Sequence, residues 1–152
     1  MKTLLVAVDL SDAANLVVAK AGGLAQQLLA KVVLLHVFEP KPAYVPLGET
    51  AGVVIGAAWP LTTPQGPSEE EERLDSLADV LKALGVQVET VAVVGLLVDE
   101  ILEQSVECDA DYIILGSGGR VESQHFLTGN VFTEIVPRLT CPMIVIPAKT
   151  DR

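Results

Sequence analysis

Positive charge is scarce in this chain. Ten Lys and Arg stand against 20 Asp and Glu, a formal net charge of −10. General nucleic-acid binding needs a basic surface that displaces counterions, so it is excluded as a class. An anionic membrane surface is excluded on the same ground. The acidic excess serves solubility. Any phosphate bound here is therefore expected to rest on main-chain N–H groups. Cysteine is nearly absent. Cys108 and Cys141 are too few for a disulfide framework, have no zinc-site spacing, and read as small core residues. Aromatics make up only 4% of a chain that is 50% hydrophobic, which gives the aliphatic core typical of buried parallel strands. Long apolar runs are missing too. The stretch from Ala51 to Leu61 is too short to span a bilayer and contains Pro60. The N-terminal apolar run ends at Asp9, without the length or cleavage site of a signal peptide. The expectation is a cytoplasmic protein with neither membrane nor nucleic acid as a partner.

What is present is a regular alternation of elements in a chain of 152 residues, a length that suits one domain. Leu4 to Val8 reads as a buried strand. Ser11 is placed to cap a helix whose apolar residues are Ala13, Leu16, Val17, Ala21, Leu24 and Leu28. Gly22-Gly23 inside it points either to close helix–sheet packing or to fraying. Val32 to Phe38 is the second strand, with His36 as a satisfied strand-end residue. Residues 39–67 form a long Pro/Gly-rich insertion with an apolar middle around Trp59, read as a flap on its own domain, a lid over a ligand or part of a subunit contact. Ser68 with Glu71 is a capping box opening a helix with Leu74, Leu77, Ala78, Leu81 and Leu84 inside and Gly85 at its end. A strand over Val86–Val94, a helix with Val98, Ile101, Leu102 and Val106 inward, a strand over Tyr112–Leu115, a helix over Gly129–Leu139 and a strand over Pro142–Pro147 complete the chain. Such β-α alternation predicts an α/β fold with a parallel sheet and helices on both faces.

Ligands of open parallel sheets bind beyond the C-terminal strand ends. Two polar features fall there. Asp9 follows the first strand; it either accepts hydrogen bonds from ribose hydroxyls, helps hold a divalent cation, or orders the turn before Ser11. The run Gly116-Ser117-Gly118-Gly119 follows the fourth strand, and Gly129-Asn130 opens the fourth helix. Glycines let the backbone approach a ligand closely, and a helix start offers N–H groups to phosphate. No Gly-Lys-Ser/Thr marks a P-loop and no G-x-G-x-x-G follows the first strand. Ser117-Gly118-Gly119 starts like an ATP pyrophosphatase loop, but Val121-Glu122 does not supply the Asp-Ser of that loop.

With these residues in place, the chain resembles the universal stress proteins of the single-domain, ATP-binding type over nearly its whole length. Val6-Ala7-Val8-Asp9, Leu34-Leu35-His36-Val37, Asp111 to Ser117 and Cys141 to Ile146 match the family's strands. Gly116, Gly119 and Gly129 keep the spacing of its ATP pattern, G-x2-G-x9-G-(S/T). The resemblance implies a doubly wound open five-stranded parallel sheet of order 3-2-1-4-5, Rossmann-like and similar to the adenine nucleotide alpha hydrolases. It implies that Asp9 and Val37 line an adenosine pocket, that Leu115 and Gly116 lie near base and ribose, and that Gly118, Gly119, Gly129, Asn130 and Val131 contact ribose or phosphates. ATP or another adenine nucleotide is the implied cofactor, with Mg through Asp9 as an accompanying ion. It also implies a homodimer through Met143 to Ile146, where an apolar edge strand needs a cover, and a protein partner that the sequence does not name. One departure stands out: Asn130 replaces the pattern's Ser or Thr with a bulkier amide that still donates. No catalytic residue is assigned, since no cluster of Lys or Arg accompanies the loop, whose Arg120 sits near Glu122. His125 reads as an exposed loop residue. The leading expectation is an ATP-binding regulatory or interaction module of the stress response. The alternatives are a member that works through protein contacts without nucleotide, and a slow ATP hydrolase.

Overall fold

A computed structural model of the chain describes residues 1–38, 68–117 and 129–147. The insertion over 39–67 with Trp59, the loop residues Gly118, Gly119, Arg120, Glu122 and His125, and residues 148–152 lie outside the described residues. Five strands, β1 (Lys2–Ala7), β2 (Ala30–Phe38), β3 (Val88–Val94), β4 (Tyr112–Ser117) and β5 (Met143–Pro147), form one sheet. All neighbouring pairs run parallel, in the order β3-β2-β1-β4-β5. Helices α1 (Ala13–Leu28), α2 (Glu69–Ala83), α3 (Leu97–Glu107) and α4 (Gly129–Ile135) alternate with them. The doubly wound α/β architecture and the 3-2-1-4-5 order are as the resemblance implied.

The two faces of the sheet bury separate aliphatic clusters. Leu4, Val6, Val32, Leu34 and Ile114 face α1 and α2, where Val17, Val18, Leu77 and Leu81 meet them. Leu5, Ala7, Leu35, Val37, Ile113 and Leu115 face α3 and α4, against Val98, Ile101 and Ile135. This period-2 division of the strands is why they read as continuous apolar runs rather than as alternating patterns.

Several local expectations are corrected. Ser11 does not cap α1: Asp12 holds that position without a side-chain cap, and the Ser11 hydroxyl points to Asp9 instead. The buried stripe of α1 is Ala14, Val17, Val18, Ala21, Gly22 and Ala25. The larger Leu24 and Leu28 lie only partly buried at its margin, because the small residues allow α1 to approach its neighbours closely. The helix does not fray at Gly22-Gly23. A Cβ at Gly22 would stand 2.6 Å from Leu84 Cδ1 and 3.1 Å from Leu81 Cδ2, so this glycine serves contact with α2, not with the sheet. Leu84 and Val106, expected inside, are 38% and 61% exposed. The buried positions of α3 are instead Leu97, Val98, Ile101, Leu102 and Ser105. The fourth helix stops at Ile135 and tightens into a 3-10 turn, Val136–Arg138, because Pro137 cannot continue the α-helical ladder. Strands β3 and β5 begin later than expected, at Val88 and Met143.

The start of α2 is as the sequence indicates. Ser68 Oγ accepts from Glu71 N–H at 3.2 Å, and Glu71 Oε2 accepts from Ser68 N–H at 2.9 Å. Four glutamates stand in the first turn, at the positive end of the helix dipole. Ser68→Ala is expected to lower stability by about 1 kcal/mol, read as a shifted urea midpoint with unchanged m.

A second tie closes the sheet's lower end. Asp111 Oδ2 accepts from Thr3 N–H at 2.8 Å, while Asp111 N–H donates to Thr3 O at 2.8 Å. The Thr3 amide, helped by Lys2, holds the Asp111 carboxyl below its ordinary value of 3.8. A depressed carboxyl contributes stability above its unfolded-state pKa and loses it as pH falls through the folded-state value. Asp111→Asn is therefore expected to be less stable than the parent at neutral pH, with the gap closing below about pH 4. Urea midpoints at pH 7 and pH 3 check this; a gap that stays constant would refute it.

Candidate functional site

The sheet order places a direction switch between β1 and β4, since the chain winds one way from β1 to β2 and the other way to β4. Pairing between β1 and β4 covers only Leu4–Val6 with Tyr112–Ile114. Beyond Ile114, β4 continues to Ser117, but paired with β5. Beyond Val6, the first strand stays with β2, through Ala7↔Leu35 and Val8 N–H to Leu35 O at 2.9 Å. The ladder between the two central strands thus ends three residues before β4 does. An opening at the C-terminal ends of the strands, at the switch point, is where open α/β sheets place ligands.

Asp9 stands at this opening, half-buried just past β1. Its Oδ1 accepts from Ser11 N–H at 2.9 Å and from Ser11 Oγ–H at 2.6 Å. This is an Asx-turn, and it forces Leu10 to φ 62°, a left-handed conformation that non-glycine residues rarely adopt. Of the readings open for Asp9, the turn-ordering one is therefore realised, and among the described residues it commits only one carboxylate oxygen. Oδ2 remains able to accept.

The remaining expected residues divide by sheet face. Val37, 7% exposed, and Leu115, fully buried, share the cluster on the α3 side, and half-buried Val131 of α4 packs on the same cluster. These three lie on one face of the sheet, within one apolar cluster. Gly116 turns to the other face, toward α1, where a Cβ would lie 2.6 Å from Val17 Cγ2. Its glycine is thus required by helix–sheet packing, whatever else it does. Gly129 and Asn130 open α4. Gly118 and Gly119 lie outside the described residues, so their expected phosphate contacts have no geometry on which to stand.

Two participants in the site are not assigned by the sequence reading: Ser11 as the partner of Asp9, and Val17 as the surface against Gly116. The first had a signal in the Asp-x-Ser spacing. The second had none, since it depends on the phase of α1 against the sheet.

Electrostatically, the described part of this end is acidic. Asp99 and Glu100 open α3, and burial followed by the neighbouring Glu103, Glu107 and Asp99 charges pushes the Glu100 carboxyl up. Arg138 is paired with Asp99 at 2.9 Å. Among the described residues, no group of three or more His, Cys, Asp or Glu side chains could hold a metal ion, and no helix is long and apolar enough to cross a membrane. A cavity of about 370 Å³ lies at the opposite end of the strands, between β2, β3 and the last turn of α3, lined by Lys31, Glu89, Glu107 and Cys108 among others. Burial pushes the Cys108 and Cys141 thiols up, as befits partly buried packing residues.

Comparison with known proteins agrees with this architecture. The chain is 23% identical over 145 residues to the universal stress protein MJ0531 of Methanocaldococcus jannaschii, covering 95% of this chain and 81% of that protein. A universal stress protein solved in complex with cAMP superposes with a TM-score of 0.66 at 20% identity, covering 97% of this chain and 98% of the other. The universal stress protein of Archaeoglobus fulgidus in complex with dAMP gives 0.64 at 22% identity, with 96% and 98% covered. The model of the universal stress protein family matches residues 1–147. A match over that span, on a sheet of this order with its switch point beside Asp9, establishes that the chain belongs to the universal stress protein family.

Proposed function

We propose that the opening between β1 and β4 binds an adenine nucleotide, ATP in the first instance, and that the bound nucleotide controls an interaction surface of the protein. The observation that carries this reading is a carboxylate, Asp9, bonded among the described residues through Oδ1, at the same strand ends as the apolar face that holds Val37, Leu115 and Val131. An apolar face suits a base. A carboxylate whose Oδ2 has no partner among the described residues suits ribose hydroxyls, which donate, and repels phosphate, which does not. Phosphate is therefore assigned away from Asp9, to the segment that runs from Gly116 through Gly118 and Gly119 to Gly129, Asn130 and Val131. The cAMP and dAMP complexes of two fold relatives support an adenine nucleotide.

Binding is proposed in preference to efficient turnover. Hydrolysis needs an oriented water and stabilisation of the γ-phosphate charge. Asp9 is turned into its own loop by Ser11, and Arg138 is engaged by Asp99. A homodimer through β5 belongs to the same proposal: β5 is an edge strand, and Val145 on it is 38% exposed. Light scattering at micromolar concentration should report a dimer; a monomer overturns that part.

Calorimetry tests the site. ATP is expected to bind the parent protein, and Asp9→Ala to weaken it about tenfold or more, the usual scale for a hydrogen bond to a charged group. Ser11→Ala is the control, since it keeps the carboxylate and removes one bond of the turn. Equal losses in both variants would assign Asp9 to the turn alone. No heat with the parent, together with no nucleotide in the mass spectrum of the native preparation, would leave a family member that works through protein contacts.

A further inference from the structure

Asp9 inherits its position from Val8, and Val8 is held in an unusual way. Ladder pairing of β1 with β2 ends at Ala7. One residue on, Val8 is still 2% exposed, so its carbonyl needs a partner inside the protein. A side chain supplies one. His36 of β2, 8% exposed, places Nδ1 2.9 Å from Val8 O. A carbonyl oxygen only accepts, so Nδ1 carries the proton and donates. The ring is braced edge-on against Phe38, with centroids 4.6 Å apart and an interplanar angle of 82°. Val8 N–H is fixed as well, to Leu35 O at 2.9 Å. The Val8 carbonyl and the Asp9 amide belong to one planar peptide unit. Fixing the first orients the second, and with it the turn that aims the Asp9 carboxylate.

We infer that His36 is a positioning residue of the nucleotide site: its Nδ1–H, through the Val8 carbonyl, sets the Asp9–Ser11 turn that receives the ligand. The ligand part of this assignment rests on the nucleotide reading above; the turn part does not. His36 acts through the backbone and touches no ligand. Its Nδ1 carries the proton that the Val8 carbonyl accepts.

Three variants separate this role from bulk packing. Asn places an amide N–H near the position of Nδ1, Gln places it one bond too far, and Phe keeps the ring without a donor. His36→Phe and His36→Gln are expected to speed hydrogen exchange of the Ser11 amide and to weaken ATP about fivefold or more. His36→Asn is expected to restore both to within about twofold of the parent. Urea denaturation ranks global stability in parallel, and the split between that ranking and Ser11 exchange is what a merely structural histidine would not produce. Long-range ¹⁵N correlation on the unmodified protein should show the proton on Nδ1. A proton on Nε2 with none on Nδ1, unchanged Ser11 exchange in His36→Phe, or failure of Asn to restore it overturns the assignment, and the position of the proton decides alone if the variants do not fold. Absence of ATP binding in the parent protein refutes the nucleotide reading and the ligand part of the assignment. Tautomer and exchange still judge the turn part.

Discussion

Ile101→Ala is expected to lower the stability of this protein by about 2–5 kcal/mol, the range for removing a buried aliphatic side chain down to Cβ. Ile101 has no exposed surface and sits in the middle of the buried stripe of α3, flanked by Leu97, Val98, Leu102 and Ser105. Helix α3 has only 11 residues and no side-chain cap at its N-terminus. Its place on the sheet therefore depends on this stripe rather than on helix propensity, which is weak over so short a length. The truncation opens a hole in the cluster that also contains Val37 and Leu115. Close-packed interiors refill such holes only in part. Urea unfolding measures the loss. A change under about 1 kcal/mol would mean that α3 collapses onto the sheet without that side chain, and that the cluster is looser than its burial indicates.

Gly116→Val is expected to cost about 3 kcal/mol for the opposite reason, overpacking. The new Cβ would stand 2.6 Å from Val17 Cγ2, inside any real contact distance. Val17 cannot move aside easily. It is 4% exposed, and a β-branched side chain on a helix has one strongly preferred rotamer. Either α1 lifts from β4 or the strand end shifts. The milder Gly116→Ala should cost about 1–3 kcal/mol in the parent and much less in a Val17→Ala background, because the offending methyl is gone. This cycle distinguishes two reasons for a glycine at this place. If stability recovers in the double variant while ATP affinity does not, Gly116 also serves the ligand. If the cost of Gly116→Ala is the same in both backgrounds, the close approach to α1 is not what fixes this residue.

Much of the local structure around the candidate site was visible in the residues themselves. Asp9 after an apolar run and the glycine spacing from Gly116 to Gly129 were read from order and spacing, because strand ends are local events, whereas Val37 was named only through the family resemblance. The capping box of Ser68 and Glu71 was legible for the same reason: both bonds join residues three apart. Ser11 was misassigned because a serine before a helix and a serine two residues after an aspartate carry competing signals. The Asx-turn won, since the Asp9 carboxylate draws the hydroxyl to 2.6 Å and Asp12 takes the helix boundary. Leu16, Leu24 and Leu28 misled the phase of α1, where hydrophobicity alone favours leucine inward. The structure buries Ala14, Ala21, Gly22 and Ala25 instead.

The amino-acid sequence by itself determined the order of elements and the aliphatic two-faced core, since these follow from periodicity and punctuation along the chain, and it carries the motifs on which the family resemblance rests. Only the tertiary structure decided that Gly22 and Gly116 are small because α2 and α1 press on them. It alone showed that one oxygen of Asp9 is committed to Ser11, and that His36 reaches from β2 to the Val8 carbonyl. Those facts depend on distances between segments far apart in the chain, and close approach of packed elements leaves no periodic trace in any one of them.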